Sequence, residues 1–88
     1  ILCEATSEGN KQLVEKLLNE PLIIEQDLNK STKKGFTPFY IACWKGDHEI
    51  VNLFLQKESL LINKETLGRT PLYIACAMGN TQVVELLM

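Results

Sequence analysis

The sequence predicts an all-α fold, a solenoid of stacked antiparallel helix pairs joined by turns, and three observations support this prediction. The stretch GFTPFYIACWKGD at 35–47 returns as GRTPLYIACAMGN at 68–80, with eight identical positions in thirteen and a spacing of 33 residues. One apolar pattern recurs three times, in KQLVEKLL, HEIVNLFL and TQVVELLM. Helix-capping residues flank the first helix of the middle unit and precede the second helix of each unit. A fixed period of this length is typical of proteins in which stacked units share one core.

The first helix of a repeat is predicted from its boundaries. Thr37 can act as the N-cap through its hydroxyl, and Pro38 fits the first helical position because no N–H donor is needed there. Gly46 suits the left-handed conformation that commonly ends a helix. A short helix over 38–45 follows from these three residues.

The second helix of each repeat is predicted to begin after an aspartate or asparagine N-cap, which is Asn10, Asp47 or Asn80. Apolar residues at i, i+1, i+4 and i+5 then form one helix face. Neither helix is stable alone, because isolated helices shorter than about 12 residues are marginal in water. We expect helices near 1–8, 11–19, 38–45, 48–57, 71–78 and 81–88.

The connections at 19–35 and 56–68 combine polar tips with apolar segments. We expect the tips, at 30–34 and 64–67, to project from the stack. We expect the apolar residues to pack beneath the helices, and these are Leu22, Ile23, Ile24, Leu28, Leu60, Leu61 and Ile62.

Length and composition restrict the possible functions. Eighty-eight residues form one small domain, and 45% hydrophobic with 23% charged residues is ordinary for a folded protein. A net charge of −2 does not favour nucleic acid or an anionic membrane as a partner, and no apolar run approaches the roughly 20 residues of a membrane span. The chain shows no signal peptide and does not begin with Met, so we expect it to be a piece of a longer protein.

The three cysteines, Cys3, Cys43 and Cys76, do not have the spacing of a disulfide framework. Cys43 and Cys76 hold the same place in successive repeats, about one helix–helix distance (~10 Å) apart, which exceeds the reach of a disulfide. We expect buried, reduced thiols and therefore a reducing intracellular compartment, which we interpret as the cytoplasm with the nucleus left open.

Catalytic and metal sites are not predicted. His48 is the only histidine, and it begins a helix at the surface, whereas Cys43 lies on the preceding helix, so the two do not form a nucleophile–base pair. The cysteines lie in separate repeats, which does not favour a zinc site. No phosphate-binding or dinucleotide-binding motif is present. We therefore expect no enzyme activity, no cofactor, no metal and no small-molecule substrate.

The repeated residues resemble the ankyrin repeat family, whose unit is built on G-x-T-P-L-H-x-A-A-x-x-G followed by V-V-x-x-L-L. GFTPFYIACWKG and GRTPLYIACAMG carry this pattern, and the resemblance covers the whole chain as about three units, 1–34, 35–67 and 68–88. The chain departs from the family at the histidine position, which holds Tyr40 and Tyr73, and at the second alanine, which holds Cys43 and Cys76. Four additional residues alter the first connection.

The resemblance implies a module that binds another protein through turn tips and the exposed ends of the first helices. The alternative is a regulatory or scaffolding array that acts on a catalytic domain elsewhere in a longer parent chain. The implied contact residues are Lys33, Lys34, Phe36, Trp44, Lys45 and Asp47 in the middle unit, Leu67, Arg69, Ala77, Met78 and Asn80 in the third, and Ser7, Glu8 and Asn10 in the first.

Two interpretations of Trp44 stay open at this point. Its ring either fills space against a neighbouring repeat or forms a hot spot for a partner, since Trp is enriched in hot spots. The basic residues around it have two interpretations as well, an ordinary solvated face or a small basic rim of the binding surface. These residues are Lys33, Lys34, Lys45 and Arg69.

Overall fold

The computed structural model describes residues 2–88, and for residues 24–26 the backbone alone. Position 1 of the first expected helix and the expected packing of the Ile24 side chain lie outside this description. Among the described residues there are seven α-helices and no strand. They are α1 (Leu2–Ser7), α2 (Lys11–Leu18), α3 (Pro21–Gln26), α4 (Pro38–Lys45), α5 (His48–Leu55), α6 (Pro71–Ala77) and α7 (Thr81–Leu87).

The helices form two layers of a short solenoid, which confirms the all-α repeat fold. The first helices of the units, α1, α4 and α6, stack in one layer, and the second helices, α2, α5 and α7, stack in the other. Each first helix also packs on the second helix of its own unit. Every helix of the three pairs therefore buries one face within its unit and another against a neighbouring unit.

The predicted helix boundaries in the middle unit are confirmed for α4. The Thr37 hydroxyl accepts a hydrogen bond from the Tyr40 N–H at 3.1 Å, and Pro38 occupies the first helical position. Gly46 ends the helix with a φ of 76°. The second helix, α5, ends at Leu55 rather than at the predicted residue 57.

The core lies between the two layers. Phe39 of α4 and Phe54 of α5 are both buried, and their rings meet edge to face with centroids 6.0 Å apart. Burial of each such side chain stabilises the fold by about 1.5–3 kcal/mol. Branched residues on the second helices complete the shared core, namely Val14, Ile50, Val51 and Val83.

The connections pack less apolar surface than the sequence predicts. Leu28 and Leu60 are buried, but Leu22 is 62% exposed, and Leu61 and Ile62 are exposed as well. The prediction for these three residues is wrong because only one side of each connection faces the helices. In the first connection, α3 begins at a proline and presents Leu22 to the surface, and sequence analysis did not predict this helix.

A single asparagine holds the two connections together. The Asn29 side chain donates to the Ser59 carbonyl at 2.8 Å and accepts from the Leu61 N–H at 2.8 Å. Lys64 Nζ donates to the Asn29 carbonyl at 2.7 Å. Because the side-chain amide uses both its donor and its acceptor, the second connection is fixed against the first even where its leucines are exposed.

An ion pair joins the first two units on the layer of second helices. Lys11 Nζ of α2 lies 2.6 Å from the Glu49 carboxylate of α5, and both side chains are exposed. Their hydrogen bond lowers the pKa of Glu49 and raises the pKa of Lys11. Exposed pairs of this kind contribute little to stability, so the stacking of α2 on α5 depends on apolar burial.

The cysteines differ in their exposure. Cys43 is fully buried, and burial raises the pKa of its thiol to about 12. Cys76, at the same place in the next repeat, is exposed, so its predicted burial is wrong. The difference arises because α4 has a first-layer neighbour on each side, whereas α6 packs on one described helix of that layer.

Asn80 binds the preceding repeat instead of capping its own helix. Its Nδ2 donates to the Cys43 carbonyl at 2.8 Å and to the Trp44 carbonyl at 3.0 Å, and its side chain makes no cap bond to α7. The predicted capping role of Asn80 is therefore wrong. The last carbonyls of a helix lack partners within the helix, and Asn80 satisfies two of them.

The equivalent residue one repeat earlier, Asp47, cannot do the same. A carboxylate has no N–H to donate, and Asp47 instead accepts from the Ile50 N–H at 3.4 Å as a helix cap. Asn10 also caps its own helix, through the Leu13 N–H. The contact between the second and third units thus has a polar component that depends on an amide at position 80.

The contact of Asn80 with the end of α4 predicts that substitutions at two glycines with similar φ values lower the free energy of unfolding by different amounts. Gly46 and Gly79 have φ values of 76° and 71°, so any Cβ at either site carries the cost of the left-handed conformation. A Cβ at Gly46 would also lie 2.6 Å from Asn80 Oδ1, whereas one at Gly79 meets nothing within 4 Å. We expect Gly46→Ala to lower the free energy of unfolding by about 1–2 kcal/mol more than Gly79→Ala, as urea denaturation would measure.

The Asn80→Ala background provides the control. With the amide removed, the two glycine substitutions should cost nearly the same, because the three atoms nearest to a Cβ at Gly46 all belong to the Asn80 side chain. An equal cost in the wild-type background would contradict the role assigned to Asn80. In either background, Gly46→Val should cost more than Gly46→Asn, since asparagine tolerates the left-handed region.

Candidate functional site

A groove opens between the second and third units, on the layer of first helices. It has a volume of about 240 Å³. Its base is formed by Tyr40 and Ile74, which are 2% and 7% exposed. Around this base stand more exposed side chains from α4, α6 and the two turns that precede them. The lining residues, which define the groove throughout, are Phe36, Tyr40, Trp44, Leu67, Arg69, Ile74 and Met78.

Aromatic rings build the side of the groove that belongs to the middle unit. Trp44 stacks on Phe36 with ring centroids 6.0 Å apart and an interplanar angle of 15°, and Phe36 lies 5.7 Å from the Tyr40 ring. Trp44 remains 40% exposed, and Lys45 Nζ lies over its ring at 5.8 Å. Trp44 therefore rests on a residue of its own unit and keeps a free part of its surface.

A tight hairpin places Leu67 at the opposite edge. Thr66 and Arg69 exchange both backbone hydrogen bonds, at 2.8 and 3.0 Å, around the two-residue turn of Leu67 and Gly68. The φ values of these two residues are 55° and 77°, as a type I′ turn requires. Thr66 is buried, so the prediction that the whole tip projects is wrong for this residue.

Leu67 is unfavourable at its position for two reasons. A branched side chain in the left-handed region costs about 1–2 kcal/mol relative to glycine, and asparagine tolerates that region better. The side chain is also 73% exposed, so no burial offsets this cost. A residue retained under strain at a surface is a candidate for a functional role.

The third unit supplies the remaining side of the groove. The Arg69 guanidinium lies 5.8 Å from the Tyr73 ring centroid, which is an arrangement for a cation–π interaction. Met78 follows the last residue of α6 and is 52% exposed. Methionine adapts its shape to irregular apolar surfaces, so this side of the groove can adjust to a bound group.

The structure brings together five of the fourteen contact residues that the sequence implies. Phe36, Trp44, Leu67, Arg69 and Met78 all line the groove. Lys45 adjoins it through its contact with Trp44, and Lys33 and Lys34 are exposed in the turn before Phe36.

Other implied residues have different surroundings. Asp47 is occupied as the cap of α5, and Ala77 is exposed at the end of α6 without lining the groove. In the first unit, Asn10 is the cap of α2, while Ser7 and Glu8 are exposed and do not line the groove. The structure therefore separates these positions from the groove between the second and third units.

Sequence analysis missed the base of the groove. Tyr40 and Ile74 lie within helices that the repeat pattern assigns to the core, and both are indeed mostly buried. One sequence signal could have indicated the role of Tyr40, namely that it stands where the ankyrin repeat usually has a histidine. Tyr73, its counterpart in the next unit, is exposed and does not line the groove. Its ring instead contacts the Arg69 guanidinium.

The described residues contain neither a metal-binding cluster nor a membrane-spanning helix. Among residues 2–88, no group of three or more His, Cys, Asp or Glu residues is arranged to hold a metal ion. None of the helices described here has both the length and the hydropathy needed to cross a membrane.

The stacked helical hairpins and the groove between them define a repeat protein of the solenoid class. Comparison with protein families identifies the repeats, because a family model for ankyrin repeats matches residues 2–88 with three copies. The chain belongs to the ankyrin repeat family. Ankyrin repeats generally bind other proteins, and the family is typically non-catalytic. A search of curated proteins gives no match to this chain.

The strained turn predicts a variant that gains stability. Leu67→Asn should raise the free energy of unfolding by about 0.5–1 kcal/mol, because asparagine adopts the left-handed conformation at lower cost. For a domain of this size the melting temperature should rise by roughly 2–8 °C, which thermal denaturation would measure.

Leu61→Asn is the matched control for this prediction. Leu61 is also an exposed leucine in a connection, but its φ is not positive. The same substitution there should leave the melting temperature unchanged or lower it. A similar rise for both variants would show that side-chain polarity, and not relief of strain, is the cause.

Proposed function

We propose that this chain is a protein-binding module whose partner occupies the groove between the second and third units. The observation that carries the proposal is the convergence of five separately predicted residues on one groove, from two turns and two helix ends. Loop residues held on a rigid helical stack are a common source of binding surfaces. No catalytic role is included in the proposal.

The properties of the groove support a binding site for a polypeptide side chain. Its base consists of the mostly buried side chains of Tyr40 and Ile74, and Trp44 and Met78 present exposed apolar surface at its rim. Its volume of about 240 Å³ is below the range of about 300–1,000 Å³ that is usual for small-molecule pockets. A groove of this size fits one apolar side chain of a partner, in the manner of an anchor at an interface hot spot.

The test uses a library of random linear peptides displayed on phage and selected on the immobilised 88-residue chain. We expect the enriched peptides to share an apolar anchor and to bind Trp44→Ala at least about tenfold more weakly than wild type. The stability of this variant should change by less than about 1.5 kcal/mol, because Trp44 is a partly exposed residue. Titration calorimetry and urea denaturation measure the two quantities on the same sample.

Leu22→Ala serves as the matched control, since Leu22 is a large exposed apolar residue on α3 that does not line the groove. It should leave peptide affinity unchanged. If the enriched peptides bind Trp44→Ala as tightly as wild type, the proposal is wrong. A stability loss of about 3 kcal/mol or more, with affinity unchanged among folded molecules, would identify Trp44 as a packing residue instead.

A further inference from the structure

The charges of the chain are divided unevenly between the groove and the rest of the molecule. Residues 30–45 and 66–80 supply every lining residue of the groove, and they contain five basic residues and no acidic residue. The remainder of the chain contains four basic and eleven acidic residues. A chain with a net charge of −2 thus has an excess of positive charge in the two segments that form the groove. Arg69 lines the groove and Lys45 adjoins it, whereas Lys30 lines another cavity with Glu4 and Asp27. The five basic residues are Lys30, Lys33, Lys34, Lys45 and Arg69.

The cations around the groove are not paired with carboxylates of the described residues. Within the described residues, Lys33, Lys34, Lys45 and Arg69 form no ion pair with a carboxylate, and all four are exposed. Lys45 lies over the Trp44 ring at the rim of the groove, and Arg69, which lines the groove, lies over the ring of Tyr73 outside it.

The carboxylates that border these two segments, Asp47 and Glu65, form no ion pair with the cations around the groove within the described residues. Asp47 caps α5, where it accepts from the Ile50 N–H. Glu65 is exposed next to the buried Thr66. The cations at the rim of the groove therefore remain available to a ligand.

We propose that the groove binds an acidic segment of a partner protein, in which one apolar side chain enters the groove and flanking carboxylates face the surrounding lysines and Arg69. This inference rests on the proposed function and adds the chemistry of the partner. Charge complementarity of this kind fixes register and excludes wrong partners, while the buried anchor supplies most of the affinity. A basic segment with the same anchor is rejected by like-charge repulsion.

The same cations suit single-stranded nucleic acid less well. Proteins of that class present aromatic faces on which bases stack in succession, along a groove that tracks the phosphate backbone. Here Trp44 and Phe36 stack on each other, so their facing surfaces are not available to a base. The groove also has a volume of only about 240 Å³, which suits a single peptide side chain better than a succession of stacked bases.

The experiment uses Trp44 fluorescence, because Trp44 is the only tryptophan of the chain and lines the groove. The probes are short synthetic peptides with a central leucine flanked by glutamates, serines or lysines, an acidic peptide with a central serine, and a single-stranded oligothymidylate. We expect the glutamate–leucine peptide to bind at least about tenfold more tightly than each of the others. This advantage over the serine-flanked peptide should largely disappear at about 1 M NaCl, where the Debye length is about 3 Å.

Charge reversal supplies the matched pair of variants. Arg69→Glu should weaken binding of the glutamate–leucine peptide at least about tenfold and strengthen binding of the lysine–leucine peptide. Lys16→Glu makes the same charge change at an exposed position on α2, in the other layer, and should leave both affinities unchanged. If Arg69→Glu fails to fold by circular dichroism, the double variant Lys33→Glu/Lys34→Glu in the exposed turn tests the same expectation.

The outcomes separate this inference from the proposed function. Equal affinity for the glutamate-flanked and serine-flanked peptides would overturn the acidic partner, while Trp44-dependent binding of library peptides would still support the groove as the site. Tighter binding of the oligothymidylate than of any peptide would overturn the inference in favour of nucleic acid. If the library peptides bind Trp44→Ala as tightly as wild type, the proposed function itself is wrong, whatever the charge of the peptides.

Discussion

A helix of six to eight residues is only marginally stable alone in water, and every helix in the described part of this chain is of that length. The stability of each helix therefore comes from the helices beside it. This constraint explains why the layers are continuous across units and why small residues such as Ala42 and Ala75 lie, fully buried, between them. It also explains why the proposed binding residues lie mainly in the turns and at the helix ends, since the helix faces are used for stacking.

Much of the fold follows from local sequence signals. Thr37, Pro38 and Gly46 define α4 because a hydroxyl cap, a proline without an N–H and a left-handed glycine each act within a few residues. The spacing of apolar residues in the second helices predicts their shared core, because this signal also lies within a few residues of the chain. These signals do not depend on which neighbour is present, so they could be interpreted from the sequence alone.

The features that sequence analysis missed depend on contacts between units. Asn80 has the sequence context of a helix cap, and only the proximity of two unpaired carbonyls in the preceding repeat gives it a different role. Cys43 and Cys76 share one pattern but differ in burial because their helices have different neighbours. In the groove, the exposed members were implied by the repeat pattern, whereas Tyr40 and Ile74 resemble ordinary core residues until two units are placed side by side.

The position of the groove between two units, rather than within one, has a thermodynamic consequence. In a repeat array, stability is approximately the sum of unit terms and terms for each interface between neighbours. A ligand that contacts both sides of the groove binds only when the second and third units are docked, so its binding free energy adds to that one interface term. Occupancy would therefore raise the cooperativity of unfolding across these units while leaving the junction with the first unit unaffected.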